Sequence, residues 1–434
     1  MTWRRRLLVG VAALLGVAVT ALTILRVQGA VLPGEDRASH PMPGVAGRPD
    51  ADSAQVASMV RARCRLLSGD ARRACVQEFL LALVEQGRVR LAIGTLGRLG
   101  ARDRGILRDG HEYSHVIGIN AWRPGKDLGE VYGQCSELFQ SGCYHGVIQA
   151  YFAWNGTDST TVAGLCTSPA IGQSDWLRFQ CVHGVGHALV QARSLHLPQA
   201  LEGCDQLPSP FDQESCYGGA FMEFIVGARG QSHHPRVGPP PDSSAEHHDH
   251  ADHEPAPAFA LRDRNDPLYP CTVLGEKYLR QCYQMQPGIV FETAEGNVAQ
   301  MARACDRAPE RHRKSCYHGI GTYVSGLTTR DAERTIGICS LGDPEFREWC
   351  FVGVVKNFID VTARPIDGIA YCRLLGEPRI ASRCYVAVGE QVGFMLLATK
   401  DRQDACAEAE PRYRNACLYG AGLTRDRPAD LVGG

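Results

Sequence analysis

Two stretches of this chain place histidines four residues apart: His111-Glu112-Tyr113-Ser114-His115 and His183-Gly184-Val185-Gly186-His187. On a helix, side chains at i and i+4 share a face. Each pair can therefore offer two imidazole nitrogens to one divalent ion, and in the first string Glu112 can activate a water bound to it. His145 follows Cys143 by two residues, as His183 follows Cys181 and His318 follows Cys316. With Tyr113 standing in a cysteine's place, His115 obeys the same rule. Packed helices lie about 8–10 Å apart, so equivalent side chains on adjacent helices can converge. His111, His115, His145, His183 and His187 are thus candidate ligands for one Zn, Cu or Ni ion, with Glu137, Gln149 and Glu223 as candidate outer partners. The plainer alternative is that each histidine fills a polar niche near a helix start and that the glycines after it serve close packing.

A second histidine-rich region reads differently. The segment 230–265 lengthens the interval from Cys216 to Cys271 and carries His233, His234, His247, His248, His250 and His253 among Asp242, Glu246, Asp249, Asp252 and Glu254. Such a proline-interrupted stretch cannot form a core, but it can wrap a borderline cation. A solvated linker is the alternative.

The elements that must position these residues are written in the cysteines. All 18 fall into neighbouring pairs. In order these are Cys64/Cys75, Cys135/Cys143, Cys166/Cys181, Cys204/Cys216, Cys271/Cys282, Cys305/Cys316, Cys339/Cys350, Cys372/Cys384 and Cys406/Cys417. Outside the insert and the unstapled span from Cys75 to Cys135, the interval from one pair to the next recurs at 22 or 23 residues, as from Cys143 to Cys166, Cys181 to Cys204, Cys282 to Cys305 and Cys350 to Cys372. A constant period with an apolar helical stretch after each second cysteine (CYHGVI, CVHGVG, CYHGIG) is the signature of stacked helix pairs. A long helix B opens at the second cysteine. A polar turn follows, as at Thr328 to Asp331, where Asp331 is a candidate N-cap. A short helix A, as in 332–339, ends on the first cysteine of the next pair, and Pro344, Pro378 and Pro411 mark the loops between. Each pair then clamps one helix end to the next helix start as a disulfide. Zinc-thiolate sites are the rival, but the chain contains no CxxC. About ten repeats result, nine of them stapled.

The amino terminus sets the compartment. Arg4-Arg5-Arg6 precedes an uncharged run from Leu7 to Leu25, long enough to cross a bilayer with the arginines inside. A cleaved signal peptide is the rival reading. Either way the rest of the chain faces outward, in the periplasm or at the cell surface, where disulfides persist. With 46 basic against 47 acidic residues and a net charge of −1, nothing favours nucleic acid as a partner. No P-loop, nucleophile elbow, dinucleotide fingerprint or haem-attachment motif is present.

The staple spacing, with segments such as Ala304-Cys305 through Ser315-Cys316-Tyr317-His318-Gly319, resembles the cysteine-rich Sel1-like repeat proteins, relatives of the tetratricopeptide family. Over roughly 60–424 this resemblance implies an all-α solenoid of disulfide-stapled hairpins whose lining binds a protein or peptide partner. His111 to His115 also resembles the zincin metalloprotease string. That likeness implies His111 and His115 as zinc ligands and Glu112 as general base. The chain is accordingly expected to comprise an anchor over 1–26, a tether over 27–56, an N-terminal half of the array over 57–229, the insert over 230–265, a C-terminal half over 266–424 and a tail over 425–434. The leading functional expectation is a membrane-anchored, transition-metal-binding repeat protein. A metal-dependent hydrolase and a pure interaction scaffold are the alternatives.

Overall fold

The cysteine spacing becomes helix spacing in the computed structural model, which describes residues 52–158, 162, 164–169, 171–228 and 259–431. The hydrophobic segment 7–25, most of the tether and all six histidines of the insert lie outside the described residues. Among the described residues every regular element is helical, and no helix is long and apolar enough to cross a membrane. In chain order the α-helices are α1 (Ser53–Cys64), α2 (Gly69–Glu85), α3 (Val89–Gly100), α4 (Arg104–Arg108), α5 (Gly110–Ala121), α6 (Leu128–Tyr132), α7 (Gly142–Asn155), α8 (Asp175–Ala192), α9 (Leu197–Cys204), α10 (Pro210–Ala228), α11 (Glu276–Met285), α12 (Pro287–Thr293), α13 (Val298–Ala304), α14 (Glu310–Leu327), α15 (Ala332–Cys339), α16 (Glu348–Thr362), α17 (Pro365–Cys372), α18 (Pro378–Met395), α19 (Thr399–Ala407) and α20 (Arg414–Gly420). The first helix starts at Ser53 and buries Val56, so the tether ends four residues earlier than its composition suggests.

All nine expected cysteine pairs are disulfides, and no free cysteine is present. They are Cys64–Cys75, Cys135–Cys143, Cys166–Cys181, Cys204–Cys216, Cys271–Cys282, Cys305–Cys316, Cys339–Cys350, Cys372–Cys384 and Cys406–Cys417, with Cα atoms 5.5–5.9 Å apart. Every cysteine except Cys75 is buried. So many disulfides belong to an oxidising, extracytoplasmic compartment. Helix α15 shows the local logic. The Asp331 carboxylate accepts from the Arg334 N–H at 3.0 Å, capping the helix, and Cys339 ends it. The bond from Cys339 to Cys350 then carries the chain into α16. The tyrosine that follows many second cysteines reaches back over the stapled loop: Tyr217 bonds Asp205 and Tyr317 bonds Asp306, each at 2.5 Å.

Two sequence expectations are corrected. The long helices begin before their cysteine, not at it: α8 starts at Asp175 ahead of Cys181, α11 at Glu276 ahead of Cys282, and α14 at Glu310 ahead of Cys316. The charged turn 310–315 reads as loop because it lacks apolar residues. Exposed helical turns need none, and a proline just before or at the first position starts the helix. Pro378 accordingly opens α18 and does not mark a loop.

Second, a solenoid of stacked helix pairs implies contact between neighbouring repeats alone, and here distant repeats also meet. The long helices do pack in chain order, α5 on α7, α7 on α8, α8 on α10, α10 on α11, α11 on α14, α14 on α16, α16 on α18 and α18 on α20. The row then curls until distant parts meet. The N–H groups of Phe139 and Gln140 donate to the carbonyls of Val361 and Asp360 at 2.9 and 2.8 Å, and the rings of Phe179 and Phe394 lie 5.4 Å apart. Phe139, Gln140 and Ser141 all adopt left-handed backbone conformations, which turn this loop toward the end of α16. Residues of α7, α8, α10, α11, α14, α16 and α18 thus line a shared cavity.

The long helices cross in tight pairs through glycine. A Cβ on Gly118 would come within 2.1 Å of the Cys143 carbonyl oxygen, and one on Gly146 within 2.3 Å of the His115 carbonyl oxygen. Gly186 and Gly219 make the same reciprocal contact between α8 and α10. These glycines let the backbones touch, which brings the histidine-bearing faces together. Gly146→Ala should therefore force α5 and α7 apart and destabilise the fold by roughly 1–3 kcal/mol. Gly337→Ala in α15, with nothing within 4 Å, should be neutral or slightly stabilising. Thermal unfolding of the two variants checks the contrast, and equal midpoints would refute it.

Candidate metal centre

Three helices bring the five histidines together. His111 and His115 stand one turn apart on α5, His145 lies in the first turn of α7, and His183 and His187 stand one turn apart on α8. The Cys135–Cys143 and Cys166–Cys181 staples hold α7 and α8 immediately beside these residues. His115 and His145 have ring centroids 5.2 Å apart, His115 and His187 4.8 Å, and His145 and His183 4.6 Å. Two sets, His111/His115/His145 and His145/His183/His187, each present ligand nitrogens within 4.8 Å of one another, so the cluster is able to hold a metal ion. His145 belongs to both. Four of the five are almost wholly buried, His115 and His187 at 0% exposed, His145 at 3% and His183 at 4%, and His111 is half-buried.

Surrounding groups orient the rings. The Phe139 carbonyl accepts from His111 Nδ1 at 2.8 Å, and Glu223 Oε2 accepts from His187 Nδ1 at 2.8 Å. The Gln149 amide donates to Glu223 at 3.3 Å, which turns its oxygen toward His115 Nδ1 at 2.8 Å. A carbonyl or carboxylate can only accept, so in these three rings Nδ1 carries the proton and Nε2 carries the lone pair. Gln191 also donates to Glu223, at 3.0 Å, fixing that carboxylate. Metal-binding histidines need such an outer shell, because it sets both tautomer and ring angle.

His145 completes the pattern. Its Nε2 donates to Gln180 Oε1 at 2.9 Å, which leaves the lone pair on Nδ1. That atom faces His115 Nε2 at 3.4 Å. Two lone pairs at this distance repel unless a cation lies between them. Two nitrogens on one tetrahedral zinc, at about 2.0–2.1 Å from it, stand roughly 3.3–3.4 Å apart. No side chain hydrogen-bonds to His183, and the Ser215 backbone is the one group that favours its charged form.

Burial holds His145 and His183 neutral well below the ordinary histidine range, with the neighbouring imidazoles adding to the effect. Burial, then Lys356 and Arg280, pulls His318 down to about 3. Unfolded, each would bind a proton near pH 6.5, so below that pH the unfolded chain takes up protons the folded one refuses. Stability should then fall with pH by roughly 1.4 kcal/mol per unit per group. Asp360, pushed up to about 7 by burial, acts in the opposite sense between its ordinary 3.8 and 7 and offsets one histidine. Three groups against one leave a net loss on the order of 3 kcal/mol from pH 6 to pH 5. Melting curves of metal-free protein should show a clear drop over that interval, and a flat or rising midpoint would refute neutral buried histidines.

A cavity of about 250 Å³ gives access to the cluster, with His145 and His183 on one wall and His318, Lys356 and Asp360 among its other residues. The structure separates the other expected residues. Glu112 does not join the site: its carboxylate is 36% exposed and pairs with Arg73 of α2 at 2.7 Å. The reason is helical geometry. A residue one step from His111 is rotated about 100° around the axis, and here a cation on α2 takes it. Gln149 and Glu223 hydrogen-bond to His115 and His187, whereas Glu137 lines the small cavity. Gln180, Gln191, Lys356 and Asp360 are not found from the sequence, because isolated polar residues in apolar helices carry no spacing signal.

Comparison of the chain with protein-family models, curated proteins and solved structures finds no match.

Proposed function

We propose that this protein binds a transition metal, zinc or copper, through His115 and His145 with His111, His183 and His187 completing the sphere. The array is a stapled helical solenoid that curls until the loop before α7 and helix α8 meet α16 and α18. It is tethered to the outer face of a membrane by the segment 7–25, while the histidines of the insert gather ions for the centre. One observation carries this reading: two imidazole nitrogens, both with their protons committed elsewhere, face each other at 3.4 Å inside a buried cluster. A scaffold whose histidines are incidental has no use for that arrangement.

The test is the metal content of tag-free protein lacking residues 231–255. About one tightly held ion per chain is expected. A chain that stays empty after addition of Zn and Cu would overturn the proposal. Of the two alternatives, metal-dependent hydrolysis draws support from one feature, the half-buried carboxyl of Asp360 on the same small cavity as His145. Its pKa near 7 suits a general base. Glu112, bound to Arg73, is not placed for that role.

A further inference from the structure

The small cavity shares Phe179, His183, Gln284, His318, Lys356 and Phe394 with a larger one of about 810 Å³, so the two form adjoining chambers, the inner one ending on His145. That volume is in the range of small-molecule sites. The walls of the outer chamber divide into two kinds. Phe179, Phe211, Trp349 and Phe394 offer flat apolar surface, and Arg280, Lys314 and Lys356 bring three cations. Lys356 is paired with Glu390 at 2.6 Å. Neither Arg280 nor Lys314 has a carboxylate within salt-bridge distance among the described residues; the ammonium of Lys314 instead stands 5.5 Å from the centre of the Trp349 ring. The remaining acid on the wall, Glu214, accepts from Gln281 at 2.9 Å. His318 Nε2 is buried between the chambers without a hydrogen-bond partner. The imidazole is neutral, held so by burial and by the positive field of Lys356 and Arg280.

We infer that the outer chamber binds a small organic anion, a carboxylate on a flat apolar body, with its charge between Arg280 and Lys314 and its body against Trp349 and Phe394. The aromatic faces supply contact area without a directional demand, and the two cations without a carboxylate partner select for charge. His318 Nε2 meets the ligand's polar edge. The chamber leads toward the histidine cluster, so the anion is the class of molecule that would reach a metal there. This inference takes its place in the protein's function from the metal reading, but the binding itself needs no metal.

Calorimetric titration of the full-length protein tests it, with benzoate as the probe and benzamide as its neutral isostere. Benzoate should bind at least tenfold more tightly than benzamide. Arg280→Met and Lys314→Met should each weaken benzoate severalfold, and together abolish the preference. Both side chains lie at exposed positions, so folding should survive, and circular dichroism verifies this. Glu214→Gln, which removes the opposing charge, should tighten benzoate. His115→Ala separates the two proposals. His115 does not line either chamber, so its loss should empty the metal site and leave benzoate affinity unchanged. Equal affinity for benzoate and benzamide, no binding of either, or benzoate affinity unmoved by the double substitution would each overturn the inference. Loss of metal alone would not.

Discussion

Replacing His145 by alanine is expected to abolish tight metal binding, with a loss of affinity of at least about a hundredfold. His145 is the one residue common to both histidine sets, and its Nδ1 forms one edge of the nitrogen pair at 3.4 Å with His115. Removing it breaks both three-histidine sets, the one that joins α5 to α7 and the one that joins α7 to α8. An outer-shell change should cost less: Glu223→Gln keeps the shape but weakens the hold on His187 Nδ1, and a 10–100-fold loss is expected. Glu112→Gln should leave metal affinity unchanged, because its carboxylate is occupied by Arg73. Competition titration with a chromophoric chelator reads all three. The competing arrangement reverses the Gln180 amide, so that it donates to His145 and His145 donates to His115, forming an ordinary hydrogen bond. It predicts no bound metal in any of these proteins. Stoichiometric zinc retained by His145→Ala would sink the proposed centre.

The second large effect is that of reduction. The nine staples close loops with cysteine separations of 8 to 15 residues. Each such closure is worth roughly 2–3 kcal/mol. Together they amount to something on the order of 20 kcal/mol, against a typical folding stability of about 5–15 kcal/mol. Full reduction should therefore unfold the chain at room temperature. The onset should be slow, because Cys143, Cys181, Cys204, Cys216, Cys282, Cys384, Cys406 and Cys417 are 0% exposed and a reductant must wait for local opening. The Cys64–Cys75 bond should open first, since Cys75 alone among the cysteines is not buried. Far-UV circular dichroism under a strong phosphine reductant follows both the loss and its lag. A reduced chain that keeps its helices would show that packing alone sustains the fold.

Much of this was legible in the amino-acid order because it depends on short spans. The cysteine pairs close loops of at most 15 residues, and the Asp331 cap acts over three. The register that aligns His115, His145 and His183 follows from a constant period together with helices that neighbour one another in space. The HExxH string misled at one position. A motif gives rotation around a helix, but which neighbour a side chain meets depends on what packs there, and Arg73 lies on a helix packed against it.

The tautomers of the cluster could not be read from the order of residues, because they rest on Gln180, Gln149 and Glu223 reaching across helices 34 to 74 residues away. Nor could the cavity. Its walls exist because the loop at Phe139 and Gln140 hydrogen-bonds to the end of α16 and because α8 meets α18 at Phe179 and Phe394. Local pattern specifies which residues form helices and which face of each is apolar. How far a row of such helices curves before it meets itself is the sum of many small crossing angles, set by the glycine contacts between neighbours and by the packing of every pair in turn. That sum exists only in the assembled fold, and it is what turns a row of stapled helices with histidines into a cavity with the histidine cluster at its end.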